Sequence, residues 1–402
     1  MKKLLLFGAG KIGRSFIGQL FGKSGYEIIF ADIDANIVEL LNKASSYKVI
    51  TVDNNHPEKE DEYTVKNVSA LHLSEKEKII NSIVEADIIA LSVGKRGLLG
   101  LSELIAKGIT KRYEIRKDQP VDIILAENVR NAAGLLREEL KKYITGVPMN
   151  EYVGLVETSI GKMVPIMTKE QLSLDPLTVV AEPYNSLIVD ALAFRNIIPE
   201  VDGLAPKKNM KAWVDRKIFI HNMGHATLAY QANFLNHELI YTWEALEIDE
   251  LRDITRKTMI QSMDILMALY PGEFTKNQLL EHIDDLLDRF SNKALGDTIF
   301  RVGCDLPRKL NKDDRLMVPI IAGIQTGKDY SLILEAWVKG CFFKATDKQG
   351  KMTPEDEKFK ITFAENPILI LSDHCKFDKE EYSELYSGVR RILDEINSNS
   401  IA

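Results

Sequence analysis

Leu4-Leu5-Leu6-Phe7-Gly8-Ala9-Gly10-Lys11-Ile12-Gly13-Arg14 is the stretch that decides the fold. Its four leading apolar residues do not alternate with polar ones, which is what a strand buried on both faces requires. The glycines that follow are spaced G-x-G-x-x-G and open onto a predicted helix over residues 11–23. Gly8 permits a tight turn, Gly10 lets the backbone approach a pyrophosphate, and Gly13 lets the helix pack closely on the sheet. Backbone amides and the helix dipole at the N-terminus then favour an anion, and Ala9, Lys11 and Ile12 complete the candidate cofactor-binding turn. A second strand, residues 27–31 (EIIFA), runs into Asp32, about twenty residues beyond the motif. A carboxylate there accepts hydrogen bonds from adenosine ribose hydroxyls and repels a 2′-phosphate, so NAD is expected over NADP. Strand, helix and strand in this span form a right-handed βαβ unit. Asp34 is either a rival for the ribose or a helix cap. Lys11 and Arg14 either assist the phosphates or are solvated helix charge.

Outward from this unit the chain keeps alternating. Residues 47–52 and 63–68 read as extended pieces around a polar loop, and residues 87–93 (DIIALSV) and 121–126 (VDIILA) as buried strands, the latter followed by a helix over about 130–143. Alternation of strand and helix predicts a Rossmann-type doubly wound α/β sheet. From about residue 210 the period becomes helical, with apolar stripes over 246–269, 278–290 and 382–396. The expected organisation is a dinucleotide-binding domain over residues 1–195 and a mainly α-helical substrate and catalytic domain over 196–402.

Composition excludes several classes. The 402 residues carry a net charge of −7, and 45% are hydrophobic, which fits a soluble protein and argues against broad binding of nucleic acid. No stretch nears the roughly 18 apolar residues of a membrane helix, and Met1–Phe7 reads as a buried strand rather than a signal peptide. Cys304, Cys341 and Cys375 are isolated, without metal-knuckle spacing, and read as small apolar residues in a reducing compartment. A cytoplasmic location is expected.

The second informative segment is Arg216-Lys217-Ile218-Phe219-Ile220-His221-Asn222-Met223-Gly224-His225. On an α-helix, Lys217, His225 and Asn222 fall at about 0°, 80° and 140°, one broad face. A base, an imidazole and an amide thus converge amid apolar neighbours. Alcohol oxidation needs such a set: a base takes the hydroxyl proton while hydride leaves the carbon, and a donor stabilises the developing alkoxide. Desolvation lowers a lysine pKa toward neutrality and makes it usable as that base. The alternative is a solvated lysine beside core histidines. His221, one turn from Lys217, competes for the same role. Gly224 costs about 1 kcal/mol relative to alanine within a helix, and close approach of substrate or cofactor is one reason to retain it.

Lys217, Asn222 and His225 match the K-x4-N-x2-H signature of the polyol-specific long-chain dehydrogenases (the mannitol dehydrogenase family), which the chain resembles along nearly its whole length. The likeness includes Phe7 to Gly18, Ala126-Glu127-Asn128, Asp175-Pro176-Leu177, Arg289-Phe290-Ser291-Asn292, Pro307-Arg308-Lys309-Leu310 and Asp314-Arg315-Leu316. The resemblance implies NAD(H)-dependent interconversion of fructose 6-phosphate and mannitol 1-phosphate without a catalytic metal. It implies Lys217 as general acid/base, Asn222 as stabiliser of the oxyanion, and His225 as the group that positions a substrate hydroxyl. Asn128 stands either near the nicotinamide or as a helix cap.

The chain departs from its relatives in two places. Gly161-Lys162 replaces an Asp-Arg pair, and lysine does not reproduce the arginine fork. Lys95-Arg96 stands where proline and apolar residues are expected. Lys95 and Arg96, like Lys162, Arg308 and Lys309, are candidate ligands for a phosphate or a carboxylate, against the alternative of surface charge. Two other functions use the same scaffold: a hexuronate reductase that makes an aldonate from tagaturonate or fructuronate, and a catalytically silent NAD-binding regulator. The intact Lys217-Asn222-His225 set argues against the second.

Overall fold

The computed structural model describes residues 1–127, 131–165 and 175–399. It divides into two compact units, Met1–Val214 and Asp215–Ala402.

The first unit is built on eight strands. They are β1 (Lys3–Phe7), β2 (Glu27–Asp32), β5 (Val68–His72), β6 (Ile88–Leu91), β7 (Val121–Leu125), β8 (Val153–Ile160), β10 (Leu187–Asp190) and β11 (Leu204–Lys207), in the spatial order β11-β10-β8-β7-β6-β1-β2-β5. All neighbours are parallel except β8 and β10. The strand order reverses at β1, whose two neighbours are β2 and β6, and there the doubly wound sheet forms its crevice. A smaller sheet joins β3 (Ser46–Thr51) to β4 (Asp61–Lys66) antiparallel and to β9 (Val179–Ala181) parallel.

Strand β1 shows why the apolar run does not alternate. Leu4 and Leu6 enter one core with Phe16, Ile17 and Phe30, whereas Leu5 and Phe7 enter a second core with Ile79, Ile83 and Ile105. Successive side chains of a strand point to opposite faces, and here both faces are covered. The helix after the turn runs over residues 11–23 as expected, but residues Gly13–Gly18 form a wide π-type turn.

Residues 196–214, expected with the helical half, belong to the sheet-bearing unit because β11 extends its large sheet. The carboxylate of Asp122 on β7 ties the approach to that strand: it accepts from the Arg195 N–H (2.7 Å), the Asn196 N–H (3.1 Å) and the Asn196 amide (2.8 Å).

The second unit is helical among its described residues, apart from one bridge between Tyr241 and Thr298. Met223–Leu235 is its central helix, buried along almost its whole length, and it packs on Asp249–Leu269, Ser331–Cys341 and Ile299–Gly303. The apolar period read over 246–269 belongs to the helices Thr242–Leu246 and Asp249–Leu269. Cys341 and Cys375 are buried, Cys304 is half-buried, and all three are free thiols. No helix of the described residues is long and apolar enough to cross a membrane.

Asp122→Ala is expected to lower the unfolding free energy by about 3 kcal/mol, because three donors lose one buried carboxylate. Urea denaturation measures it; a loss below about 1 kcal/mol would show that the 195–196 segment is held by other contacts.

Candidate active site

In the sheet-bearing unit, each glycine of the turn sits where a side chain would not fit or where nothing stands. Gly8 has φ +97°, and a Cβ on it would lie 2.2 Å from the Ser92 carbonyl oxygen. A Cβ on Gly13 would lie 2.0 Å from the Gly8 carbonyl oxygen, while Gly10 has nothing within 4 Å. A close-packed turn with one open, side-chain-free edge is the cradle that a pyrophosphate fits. Asp32 closes β2 beside it and accepts from the Ala9 N–H at 2.6 Å and the Asp34 N–H at 2.9 Å.

Neighbouring charges take different roles from those weighed in sequence. Asp34 is a helix cap, accepting from the amides of Asn36 and Ile37. Arg14 is neither a phosphate ligand nor solvated: its buried guanidinium donates to the carbonyls of Ala9, Pro176 and Leu177. Lys11 reaches the Pro165 carbonyl at 3.2 Å. Lys162 is buried, donates to Asn185 (3.1 Å) and Gln19 (3.4 Å), and lies over the Phe16 ring. Its ammonium is held within the unit, unlike a surface charge. Glu127, which spacing did not single out, accepts from the amides of Val93 and Gly94 at the end of β6. Burial pushes its carboxyl up from the ordinary value. Asn128 lies outside the described residues.

In the helical unit, Lys217–Asn222 is a π-type turn rather than the regular α-helix assumed from sequence, and the Met223 N–H donates five residues back to Ile218. The wider turn brings Asn222 nearly one full turn above Lys217, instead of the 140° of an α-helix. Such turns are rare and concentrate at functional sites. Lys217 is half-buried, and desolvation together with the charge of Arg315 lowers its pKa to about 8.

His225 follows on the helix Met223–Leu235. Its ring stacks on Phe290, centroids 4.3 Å apart and planes 6° apart. Burial first, then the cations Arg301, Lys309, Arg315 and Arg289, hold its pKa well below the ordinary value. His221 is likewise kept neutral by burial, with Arg289 and Lys217 adding to the effect. Asp297 stands 3.6 Å from His225 Nε2 and is itself paired with Arg301. Gly224 has a packing reason: a Cβ there would lie 2.7 Å from Cγ and Sδ of Met259 on the neighbouring helix. Substrate approach is not needed to account for it.

Of the proposed anion ligands, Arg308 is paired with Asp305 (2.5 Å) and Asp314 (2.9 Å). Lys309 is buried, donates to the Val302 carbonyl at 2.6 Å, and has its pKa lowered to about 8 by desolvation and Arg315. Arg289, Phe290, Asp297, Arg301 and Arg315 were not singled out individually as site residues from spacing. The four-residue step from Asp297 to Arg301 was the available signal. Among the described residues, no three His, Cys, Asp or Glu side chains are grouped so as to hold a metal ion.

Two family models together match most of the chain: the mannitol dehydrogenase Rossmann domain over residues 2–203 and the mannitol dehydrogenase C-terminal domain over residues 209–372. Mannitol-1-phosphate 5-dehydrogenase of Lactococcus lactis subsp. lactis (strain IL1403) is 31% identical over 375 residues, 92% of this chain and 94% of that protein. The Streptococcus mutans serotype c protein of the same name is 31% identical over 339 residues, 83% and 86% of the two chains. Among solved structures, a D-sorbitol dehydrogenase in substrate-free form aligns with a TM-score of 0.78 at 16% identity, covering 97% of this chain and 91% of that one. The ternary complex of Pseudomonas fluorescens mannitol 2-dehydrogenase with NAD and D-mannitol aligns at 0.71 and 14% identity, covering 99% and 92%. The structural likenesses show the fold; the sequence matches show that the chain belongs to the mannitol dehydrogenase family.

Proposed function

We infer that this chain is an NAD-dependent dehydrogenase that interconverts mannitol 1-phosphate and fructose 6-phosphate, with Lys217 as general acid/base and without a catalytic metal. The observation that carries the reading is a desolvated Lys217 with a pKa near 8, set on a wide turn with Asn222 and followed by a neutral His225. The names of relatives that share 31% of their residues supply the substrate.

NAD, when bound, supplies the acceptor or donor of a hydride. The turn from Gly8 to Gly13 lets its pyrophosphate approach the backbone, the Gly8 and Ala9 amides themselves being tied to the Ala31 carbonyl and to Asp32, and Asp32 accepts from its ribose. In the oxidative direction, neutral Lys217 Nζ takes the hydroxyl proton of the carbon that loses hydride. The Asn222 amide donates to the oxygen as negative charge builds on it. His225, held neutral, fixes a neighbouring hydroxyl. In the reductive direction, the Lys217 ammonium returns the proton to the carbonyl oxygen.

An anionic group on the substrate suits the surroundings of His225, where Arg289, Arg301, Lys309 and Arg315 all exert positive potential. Lys309 offers the better ligand of the Arg308-Lys309 pair, because Arg308 is already bracketed by two carboxylates. Those cations would also receive a uronate carboxylate, so the substrate panel decides between phosphate and carboxylate.

Four outcomes are expected. With NADH, the chain turns over fructose 6-phosphate and not fructose, tagaturonate or fructuronate; preference for a keto-uronate would move it to the hexuronate branch, and silence with all four would refute the substrate class. The oxidative kcat rises with pH and levels off above about 8, since the base works only unprotonated, while the reductive kcat falls as pH rises through the same value. Lys217→Ala lowers kcat by at least about 100-fold while NADH binding persists; an unchanged rate would remove the lysine from the chemistry. Asp32→Ala narrows the kcat/KM preference for NAD over NADP by about tenfold, the equivalent of one hydrogen bond to a charged group. An unchanged ratio would assign discrimination to another residue.

A further inference from the structure

A neutral imidazole carries one N–H and one lone pair, and the partner of one nitrogen decides what the other can do. In His225, Nε2 is sealed from solvent and has no hydrogen-bond partner. Oδ2 of Asp297 lies 3.6 Å away, too far for a hydrogen bond and near enough for a slight shift of the ring to close it. The side chain's remaining 13% exposure therefore belongs to its other atoms. Phe290 lies flat against the ring, which leaves it free to shift in its own plane.

Asp297 is fixed independently. It is buried, and its second oxygen, Oδ1, accepts from Arg301. Its backbone carbonyl accepts from the Thr242 N–H at 3.0 Å and the Thr242 hydroxyl at 3.3 Å. A lone pair on Nε2 facing that carboxylate would be repelled, whereas an N–H would be attracted. Leaving a buried polar group unpaired is unfavourable. Burial and the surrounding cations keep the ring neutral, so a choice between two tautomers is what remains.

We propose that Asp297 is a positioning residue: its carboxylate, anchored by Arg301, takes the Nε2 proton of His225 in a hydrogen bond and leaves the Nδ1 lone pair to accept a substrate hydroxyl. What Nδ1 meets rests on the dehydrogenase reading above; the tautomer is a property of the chain without ligand.

The test is the two-bond 1H–15N spectrum of the whole chain labelled with 15N-histidine, in which the two tautomers give different nitrogen shifts, with His225 assigned by the signals lost in His225→Gln. The unaltered protein is expected to show the Nε2–H form. In Asp297→Asn, Arg301 has only donors to offer, so the amide oxygen turns toward it and the amide N–H₂ toward Nε2. His225 then switches to the Nδ1–H form, and kcat falls by about 100-fold or more, as when a catalytic histidine is held in the wrong tautomer. Asp297→Glu restores the Nε2–H form and part of the rate. An Nδ1–H ring in the unaltered protein overturns the proposal, as does an Asp297→Asn variant that keeps both the original tautomer and the original turnover. A wrong substrate would appear in the activity panel and leave these spectra unchanged.

Discussion

Removing a lysine amine from water beside an arginine is the constraint on which the helical unit depends. An ammonium in that position loses hydration and meets Arg315, so its proton is held more loosely than on a surface lysine. Everything that makes this useful is packing. The nearly fully buried Met223–Leu235 helix carries His225, and Gly224 lets Met259 of the adjacent helix approach to a distance that any larger residue would prevent. The same burial holds His221 and His225 neutral. A loosened core would therefore first show itself as a change in proton affinity, before any unfolding.

The fold was legible because its signals are local. An apolar run without alternation has one explanation when a tight glycine turn follows, and the two cores met by Leu4/Leu6 and Leu5/Phe7 bear it out. What stayed hidden were long-range ties made by single polar atoms. Asp122 reads as one more residue in an apolar strand, yet its carboxylate collects donors from residues 195 and 196. Arg14 reads as a helix charge, yet it holds carbonyls at 176 and 177. Spacing along the chain carries no trace of such partners.

The site was legible to a similar depth. A base, an amide and an imidazole within nine residues form a pattern that chemistry can interpret, and the family resemblance rests on the same residues. The groups around them come from elsewhere: Phe290, Asp297, Arg301, Lys309 and Arg315 lie well downstream of His225. Charge pairs such as Arg308 with Asp305 and Asp314 show the converse, since a basic residue within a family motif can already be neutralised by its own neighbours. Even the local geometry was only half readable, because an i→i+5 turn leaves no compositional mark.

That turn has an evolutionary consequence. A π-type turn behaves as an α-helix with one residue inserted, and removing a residue between Lys217 and Asn222 would restore the regular ladder of hydrogen bonds. The spacing of Lys217 and Asn222 would become i→i+4, about 40° apart on an α-helix, so the lysine would keep its face. The shortened helix would be the more ordinary one, and its lysine would still share a face with the amide and the imidazole. The wide turn therefore absorbs a surplus residue without moving Lys217, Asn222 and His225 off their shared face, so an insertion here leaves the pattern that carries the candidate residues intact.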